Sequence, residues 1–299
     1  MIRLASIDFP IAWPIAWPVA WLGLAACGAP IGVTAVHATS AQLSLAADAH
    51  MIVVPGGRYI SGSTPEERAS AFEDYERTSG DDAVETRPPF DRELDRHNAT
   101  LAAFRIDLMP VTQAAYAEFV AEAHAAPPAI DPAAPAAAQE LARRFVWIAG
   151  RPPAGREDHP VVLVAWSDAA RYCAWRGQLL GVARRLPTAD EFEKATRGDN
   201  GLAYPWGNLF EAKKLNSAAG GPGDTTPVGT YTDGASPYGV LDLAGNVLEW
   251  SATPATGDDM LATGSAFDEP GGIGRGASRH VFARTARRPE LGFRCAGDP

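Results

Sequence analysis

The chain has 299 residues, and 46% of them are hydrophobic, which is enough for a large core in one domain or two small ones. Its formal net charge is -10 at pH 7, and this argues against nucleic-acid binding, which requires a basic surface. Three cysteines are too few for a disulfide scaffold. The composition therefore indicates an acidic globular protein.

The N-terminus resembles an export signal. Arg3 precedes an apolar stretch at 9–26, and this stretch ends in Leu-Ala-Ala-Cys, which matches a bacterial lipobox. We therefore expect a leader at 1–27 and lipidation of Cys27 with anchoring to a membrane. The exported protein would then lie in the bacterial periplasm or be a membrane-anchored lipoprotein. Cleavage within 35–47, or a misassigned start codon, is the alternative.

A folded domain is predicted to follow a flexible tether. Residues 28–50 are small and weakly polar, as is typical of a linker, and the domain is predicted to span 51–299. Its opening sequence, MIVVPGGRYISGS, predicts two strands joined by a Pro-Gly-Gly turn. The charged region at 63–96 predicts a surface loop or a short helix.

Three helices are predicted from their capping residues. Thr112 and Ser167 are expected to be N-caps, while Thr188 and Glu191 form a capping-box pattern. Cys173 falls in the second of these helices, where a buried free thiol is favoured over a pair with the C-terminal cysteine.

Four motifs in the second half of the chain occur in a specific order and spacing. They are RLPTADEFEKATRG at 185–198, YPWGN at 204–208, YGVLDLAGNVLEW at 238–250 and LGFRCA at 291–296. Together they resemble the sulfatase-modifying-factor family, whose best-known member is the formylglycine-generating enzyme. The resemblance covers 51–299. It implies an α+β domain with the formylglycine-generating-enzyme fold, a variant of the C-type-lectin-like fold with little regular secondary structure.

The chain departs from this family where the family binds copper. The resemblance implies a copper-binding cysteine pair between Gly264 and Gly292, but this interval contains no cysteine. The first cysteine position falls on Asp268 and the second near Ile273, and neither side chain replaces a thiolate for copper(I). No copper is therefore expected, and the chain should not be an orthodox formylglycine-generating enzyme. The pyoverdine-maturation branch of the family also lacks the pair.

The resemblance also implies structural calcium, which binds carboxylate, amide and carbonyl oxygens. Histidine spacing supports no zinc or iron site, since none of the six histidines pairs at i,i+3 or i,i+4. Two calcium sites are expected, and their ligands are predicted to be Asn216, Ser217 and Asp224 in one, and Gly245, Asn246, Val247 and Glu249 in the other. The alternative is that these residues stabilise turns by hydrogen bonding.

Asp268, Glu269 and Arg279 are the predicted catalytic residues, because a desolvated carboxyl group in the cleft could act in acid–base chemistry. A simple turn at 268–274 and a structural role for the C-terminal arginines are the alternatives. We expect an exported oxidase or tailoring enzyme that acts on a peptide or a peptide-derived small molecule, with no nucleic-acid partner. The alternative function is a non-catalytic binding module on a lectin-like scaffold.

Overall fold

A computed structural model of the protein describes residues 46–79 and 89–299. Cys27 and the rest of the predicted leader lie outside the described residues. Across the described ranges, no helix is both long and apolar enough to cross a membrane. The folded part begins before the predicted boundary at 51, because the carboxylate of Asp48 accepts two 2.7 Å hydrogen bonds from Arg184.

Nine short strands form three small sheets within the described ranges. The strands are β1 Ile52–Val54, β2 Gly57–Ser61, β3 His97–Leu101, β4 Phe104–Ile106, β5 Leu248–Pro254, β6 Asp259–Gly264, β7 Arg279–Ala283, β8 Leu291–Gly292 and β9 Ala296–Gly297. The sheet orders are β1-β4-β9, β2-β3 and β7-β6-β5-β8. Only β5 and β8 pair in parallel, with Leu248 opposite Leu291. The third sheet therefore brings the two C-terminal motifs side by side.

Besides a helical segment at 46–49, five α-helices accompany these sheets in the described ranges, together with short 3-10 helices. They are α1 Pro65–Ser79, α2 Gln113–Glu122, α3 Ala136–Ala142, α4 Trp166–Leu180 and α5 Ala189–Arg197. Between α5 and β5 the chain has no regular element longer than three residues. The predicted α+β class with little regular structure is confirmed.

Two of the three predicted helix starts are confirmed. The Thr112 hydroxyl accepts a hydrogen bond from the backbone of Ala115, and Thr188 and Glu191 form the reciprocal capping box. Ser167 is not a cap, because α4 begins one residue earlier. Instead, the carboxylate of Asp168 accepts a 3.1 Å hydrogen bond from the N–H of Ala165.

The region at 63–96 contains a longer helix than its composition predicts. α1 has 15 residues and turns Ala71 inward, where it packs with Phe90 and Ile273. The remaining faces of the helix are polar and solvated, so only the face that carries Ala71 packs against the rest of the protein. As a result, α1 lies over the interval in which the family places its second cysteine.

The largest core cluster lies between α2, α4 and the C-terminal segment. Tyr116, Tyr172 and Phe293 pack with ring centroids 5.4–6.2 Å apart. In the same core Cys173 and Cys295 form a disulfide, with a Cα–Cα distance of 5.6 Å. The expectation of a free Cys173 thiol is therefore wrong, because α4 packs directly on the segment that carries Cys295.

Candidate functional site

The turn that follows β6 carries Asp268 and Glu269, and neighbouring residues fix its conformation. Phe267 is fully buried against Phe145, with ring centroids 6.1 Å apart. Its N–H donates to the carbonyl of Asn246 at 3.1 Å. The Glu269 carbonyl accepts a hydrogen bond from Ala218 at 3.0 Å. The turn is thus tied to the Gly-Asn turn before β5 and to the loop at 216–218.

Both carboxyl groups in this turn have raised pKa values. Although Asp268 is an exposed residue, desolvation of its carboxyl and repulsion from Glu290 raise its pKa to about 6. Glu269 is half-buried, and desolvation raises its pKa to about 8, with further repulsion from Asp268 and Glu290. Its Oε2 accepts a 2.8 Å hydrogen bond from the N–H of Ala266, which partly opposes this shift. The pair therefore combines an exposed carboxyl with a more enclosed carboxyl that is protonated at neutral pH.

Glu290 was not anticipated from the sequence as a neighbour of this turn. It lies just before β8, and its Oε1 accepts a 2.7 Å hydrogen bond from Arg288. Glu290 lies 22 residues after Asp268 and outside the LGFRCA motif, so the sequence offered no signal of the repulsion between the two groups. Glu290 is thus the third acidic group of the site.

The position of the family's second cysteine is closed. Ile273 is buried, and the two glycines before it are in close contact with other elements. A Cβ atom at Gly271 would lie 2.0 Å from the ring of Phe210, and one at Gly272 would lie 2.5 Å from the backbone nitrogen of Tyr75 in α1. Neither glycine therefore leaves room for a side chain next to Ile273.

Arg279 does not join the two carboxyl groups, which corrects the prediction of a three-residue catalytic set. Its Nη2 donates to Asp190 at 2.7 Å and to Glu193 at 3.1 Å. Glu193 is buried and also accepts a hydrogen bond from the hydroxyl of Ser61. Because β7 faces α5, Arg279 connects the sheet to that helix, and its role is structural.

The other C-terminal arginines are also engaged within the fold. They pair as Arg275 with Glu93, Arg287 with Asp168, Arg288 with Glu290 and Arg294 with Glu249, while Arg284 lies over the ring of Trp166. Paired guanidinium groups of this kind hold loops together. The alternative that these arginines are structural is therefore favoured by their contacts.

The structure offers no copper thiolate within the described residues. Cys173 and Cys295 are the described cysteines, and their sulfur atoms are bonded to each other. Copper(I) favours soft ligands such as free thiolates. This geometry agrees with the absence of the cysteine pair from the interval between β6 and β8.

The predicted calcium site around Glu249 lacks a free carboxylate. Both oxygens of Glu249 accept 2.7 Å hydrogen bonds from Arg294, and both side chains are fully buried. Gly245 and Asn246 have positive φ values of 81° and 68°, so these two residues form a tight turn before Val247. The turn is present as predicted, but its acidic ligand is neutralised by arginine.

The other predicted calcium site is altered in the same way. Desolvation opposes ionisation of Asp224, but hydrogen bonding and attraction from Arg156 lower its pKa below the usual value. Asn216 Nδ2 donates to Asn246 Oδ1 at 3.2 Å, while Asn216 Oδ1 and Ser217 Oγ are buried without a hydrogen-bond partner in the described part of the chain. The same part contains no group of three or more acidic, histidine or cysteine side chains that could hold a metal. Both predicted carboxylate ligands, Glu249 and Asp224, are thus paired with arginine, and calcium at these two positions stays a prediction.

A polar cavity of about 310 Å³ is lined in part by residues of α1. Its lining includes Glu66, Glu67, Arg96, Asn200, Asn208 and Arg275. Sequence reasoning missed this cavity because its walls come from four separate segments that carry no common motif.

Comparison with known proteins identifies the family. A family profile described as sulfatase-modifying factor enzyme 1-like domain matches residues 37–299. The inactive C-alpha-formylglycine-generating enzyme 2 of Mus musculus is 33% identical over 85% of this chain and 88% of that protein. The hercynine oxygenase of Mycolicibacterium smegmatis is 29% identical over 68% of this chain and 45% of that protein.

A solved structure shows the same fold. PvdO from Pseudomonas aeruginosa has a TM-score of 0.63 and 24% sequence identity, and the match covers 83% of this chain and 94% of that one. The absence of cysteine between Gly264 and Gly292, together with the Cys173–Cys295 disulfide, sets the chain apart from the orthodox formylglycine-generating enzymes. The chain belongs to the sulfatase-modifying-factor family as a divergent member that lacks the catalytic cysteine pair.

Proposed function

We propose that the protein is an exported tailoring enzyme that acts on a peptide or peptide-derived substrate through Asp268 and Glu269, without copper. The observation that carries this proposal is the position of the two carboxyl groups. They occupy the turn in which the resemblance places the first catalytic cysteine, and their pKa values are raised to about 6 and about 8. Carboxyl groups tuned in this way suit acid–base catalysis near neutral pH.

The two carboxyl groups would have different roles. Asp268 is exposed and ionised above its raised pKa of about 6, so it can accept a proton from a bound substrate. Glu269 is protonated at neutral pH and can donate a proton or a hydrogen bond to developing negative charge. Desolvation, reinforced by repulsion from Asp268, explains why Glu269 keeps its proton more readily than Asp268 does.

Oxidation is the reaction class that the relatives support. The name hercynine oxygenase describes oxygen chemistry in a relative that is 29% identical over 68% of this chain. In a balanced two-electron oxidation, the substrate would lose two electrons and two protons. Dioxygen would accept both and leave as hydrogen peroxide. Asp268 would take the first proton from the substrate and then release it to the reduced oxygen.

The disulfide supports export. Bonds such as Cys173–Cys295 persist in oxidising compartments and are rare in the reducing cytosol. This agrees with the leader predicted at 1–27 and with lipidation at Cys27, which would hold the enzyme at a membrane surface. The periplasm is therefore the proposed location.

A direct test compares the wild-type protein with Asp268→Asn and Glu269→Gln. Purified copper-free protein is incubated with a defined peptide library in air, and peptide masses and hydrogen peroxide are measured. We expect peptides that lose two hydrogens with stoichiometric peroxide, and at least about 100-fold slower conversion by either variant. Asp258→Asn, which changes an exposed aspartate in the turn between β5 and β6, is the matched control. Full activity of both site variants would refute the assignment of these residues.

A non-catalytic binding module is the second candidate. It is favoured by the exposure of Asp268 and by the word inactive in the name of the mouse relative. In this case a peptide would bind the wild-type protein and be recovered unchanged. Binding without conversion under aerobic conditions, at several pH values, would favour this function over catalysis.

A further inference from the structure

A half-exposed arginine lies beside the Asp268 turn, and the proposed chemistry does not use it. Arg144 follows α3 in the Ala/Pro-rich part of the chain, and 47% of its side chain is exposed. We infer that Arg144 binds a carboxylate of the substrate next to Asp268, so that the protein selects peptides that carry a carboxylate at this point. This inference rests on the proposed function, because it assigns the substrate class of the same site.

Ring packing places Arg144 near the turn. Phe145 is the residue directly after Arg144. Its ring packs against that of Phe267, the residue directly before Asp268, with centroids 6.1 Å apart. Both rings belong to one buried cluster, which also contains Ala142 at the end of α3. This cluster therefore fixes the segment that carries Arg144 against the segment that carries Asp268.

A second set of contacts connects Arg144 to the same turn. Arg144 Nη1 donates to the carbonyl of Gly223 at 3.1 Å. The loop at 216–224, which contains this carbonyl, is joined to the turn because the N–H of Ala218 donates to the Glu269 carbonyl at 3.0 Å. One nitrogen of the guanidinium is therefore held by the fold, while the exposed part of the side chain can contact a bound molecule.

The positive charge of Arg144 is not needed by its nearest carboxylate. Asp224 accepts hydrogen bonds from Arg156 on both of its oxygens, and Arg144 lies 3.6 Å from one of them. Arg144 thus adds a second positive charge to a carboxylate that is already paired. The pKa of Asp268 is affected by this charge, since desolvation raises that pKa and attraction from Arg144 opposes the rise.

Arg144 and Asp268 attract each other without forming a direct ion pair in the described part of the chain. A bound peptide can therefore lie between them, with its carboxylate at the guanidinium and its reacting proton at Asp268. A guanidinium suits a carboxylate because both groups are planar and form paired hydrogen bonds. Loss of such a charge-assisted contact should weaken binding by about 5- to 10-fold.

Matched peptides test the inference, with binding and conversion measured separately. Each fluorescently labelled peptide of a defined library is made with Glu or Gln at one internal position, and with a free or an amidated C-terminus. In fluorescence polarisation, the wild-type protein should bind one of the carboxylate forms about 5- to 10-fold more tightly than its neutral counterpart. The preferred form identifies the carboxylate as that of a side chain or of the C-terminus.

Arg144→Gln should bind the charged and neutral forms of each peptide equally. Arg143→Gln is the matched control, because Arg143 is 73% exposed and pairs with Glu140 of α3. This control should keep the preference of the wild-type protein for the carboxylate form.

The outcomes separate this inference from the proposed function. Preferential binding of a carboxylate form without conversion supports the role of Arg144 and refutes the proposed catalysis. Conversion of neutral forms with the same kcat/KM as their charged counterparts, or a preference that survives in Arg144→Gln, overturns the inference and leaves the catalytic proposal in place. If Arg144→Gln does not fold, the wild-type protein decides, since equal binding of all forms overturns the inference. A library in which no peptide binds contradicts both proposals.

Discussion

Cys173 of α4 is joined to Cys295 of the C-terminal segment by a disulfide that spans 122 residues of sequence. Cys295 follows Arg294, the residue that holds Glu249, and its N–H donates to Asp107 at 2.8 Å. The cross-link therefore anchors the C-terminal segment in the aromatic core. The same segment contains β8, which pairs with β5 in the third sheet. It also leaves the described part of the chain without a free thiol.

Removal of this disulfide should lower stability. In the chain-entropy model, closing a loop on the order of 100 residues restricts the unfolded state by about 4 to 5 kcal/mol. We expect Cys173→Ala with Cys295→Ala to lose about 3 to 5 kcal/mol in the free energy of unfolding, measured with urea under oxidising conditions. The wild-type protein in a strong reductant should show a similar loss. A double variant as stable as the oxidised wild-type protein would contradict the role of the cross-link.

Glu249→Gln should destabilise the fold by leaving the Arg294 charge buried without its carboxylate. Breaking one partner of a buried ion pair costs about 3 to 5 kcal/mol, which urea unfolding can measure. Lys214→Gln is the control, because the Lys214–Glu211 pair is partly exposed and should contribute less than about 1 kcal/mol. Equal effects of the two substitutions would show that the buried pair has no special role.

Glu269 should make the protein less stable as the pH rises. Its pKa is about 8 in the folded protein and 4.5 as a model value. Between these values the unfolded chain releases a proton that the folded protein retains, so stability decreases from about pH 4.5 to pH 8 and then levels off. We expect Glu269→Gln, which cannot ionise, to gain about 2 to 4 kcal/mol relative to the wild-type protein across this range.

Urea unfolding of the wild-type protein and Glu269→Gln at several pH values between 5 and 9 measures this difference. Asp258→Asn again serves as the control, and its difference from the wild-type protein should stay nearly constant over the same range. A Glu269→Gln difference that is also independent of pH would show that this carboxyl has an ordinary pKa.

Gly272→Ala should displace α1. A Cβ atom at this position would lie 2.5 Å from the nitrogen of Tyr75 and 2.8 Å from the backbone carbon of Asp74. Overpacking of this kind costs about 1 to 3 kcal/mol, and hydrogen exchange in α1 should become faster. Ser70→Ala, on the exposed side of the same helix, should leave exchange unchanged. Unaltered exchange in Gly272→Ala would mean that α1 does not pack closely on this turn.

Features that depend on nearby residues were predictable from the sequence. Thr188 and Glu191 lie three positions apart, and the hydrogen bonds of their capping box form as expected. The prediction for Ser167 was wrong because two residues in the same short segment could cap α4. Asp168, placed one residue later, reaches back to the N–H of Ala165. The family fold was predictable from the order of four longer motifs.

The contacts that decide the chemistry were not predictable in the same way. The GNVLEW motif indicates a turn, but the partner of Glu249 lies 45 residues away at Arg294. Likewise, the separation of 122 residues between Cys173 and Cys295 carries no pairing signal. Arg279 follows Asp268 closely in sequence, yet the alternation of side chains in β7 and its position opposite α5 direct it to Glu193. Such relationships depend on tertiary packing.

The pH dependence of peptide conversion by copper-free protein tests the central claim most directly, namely that Asp268 and Glu269 replace the thiolate chemistry of the family. With one substrate from the peptide library, the account predicts a bell-shaped profile of kcat/KM whose limbs lie near pH 6 and pH 8. Asp268→Asn should lose the acid limb together with most of the rate, and Glu269→Gln should lose the alkaline limb. Conversion that requires added copper, or a profile unchanged in both variants, would contradict the account.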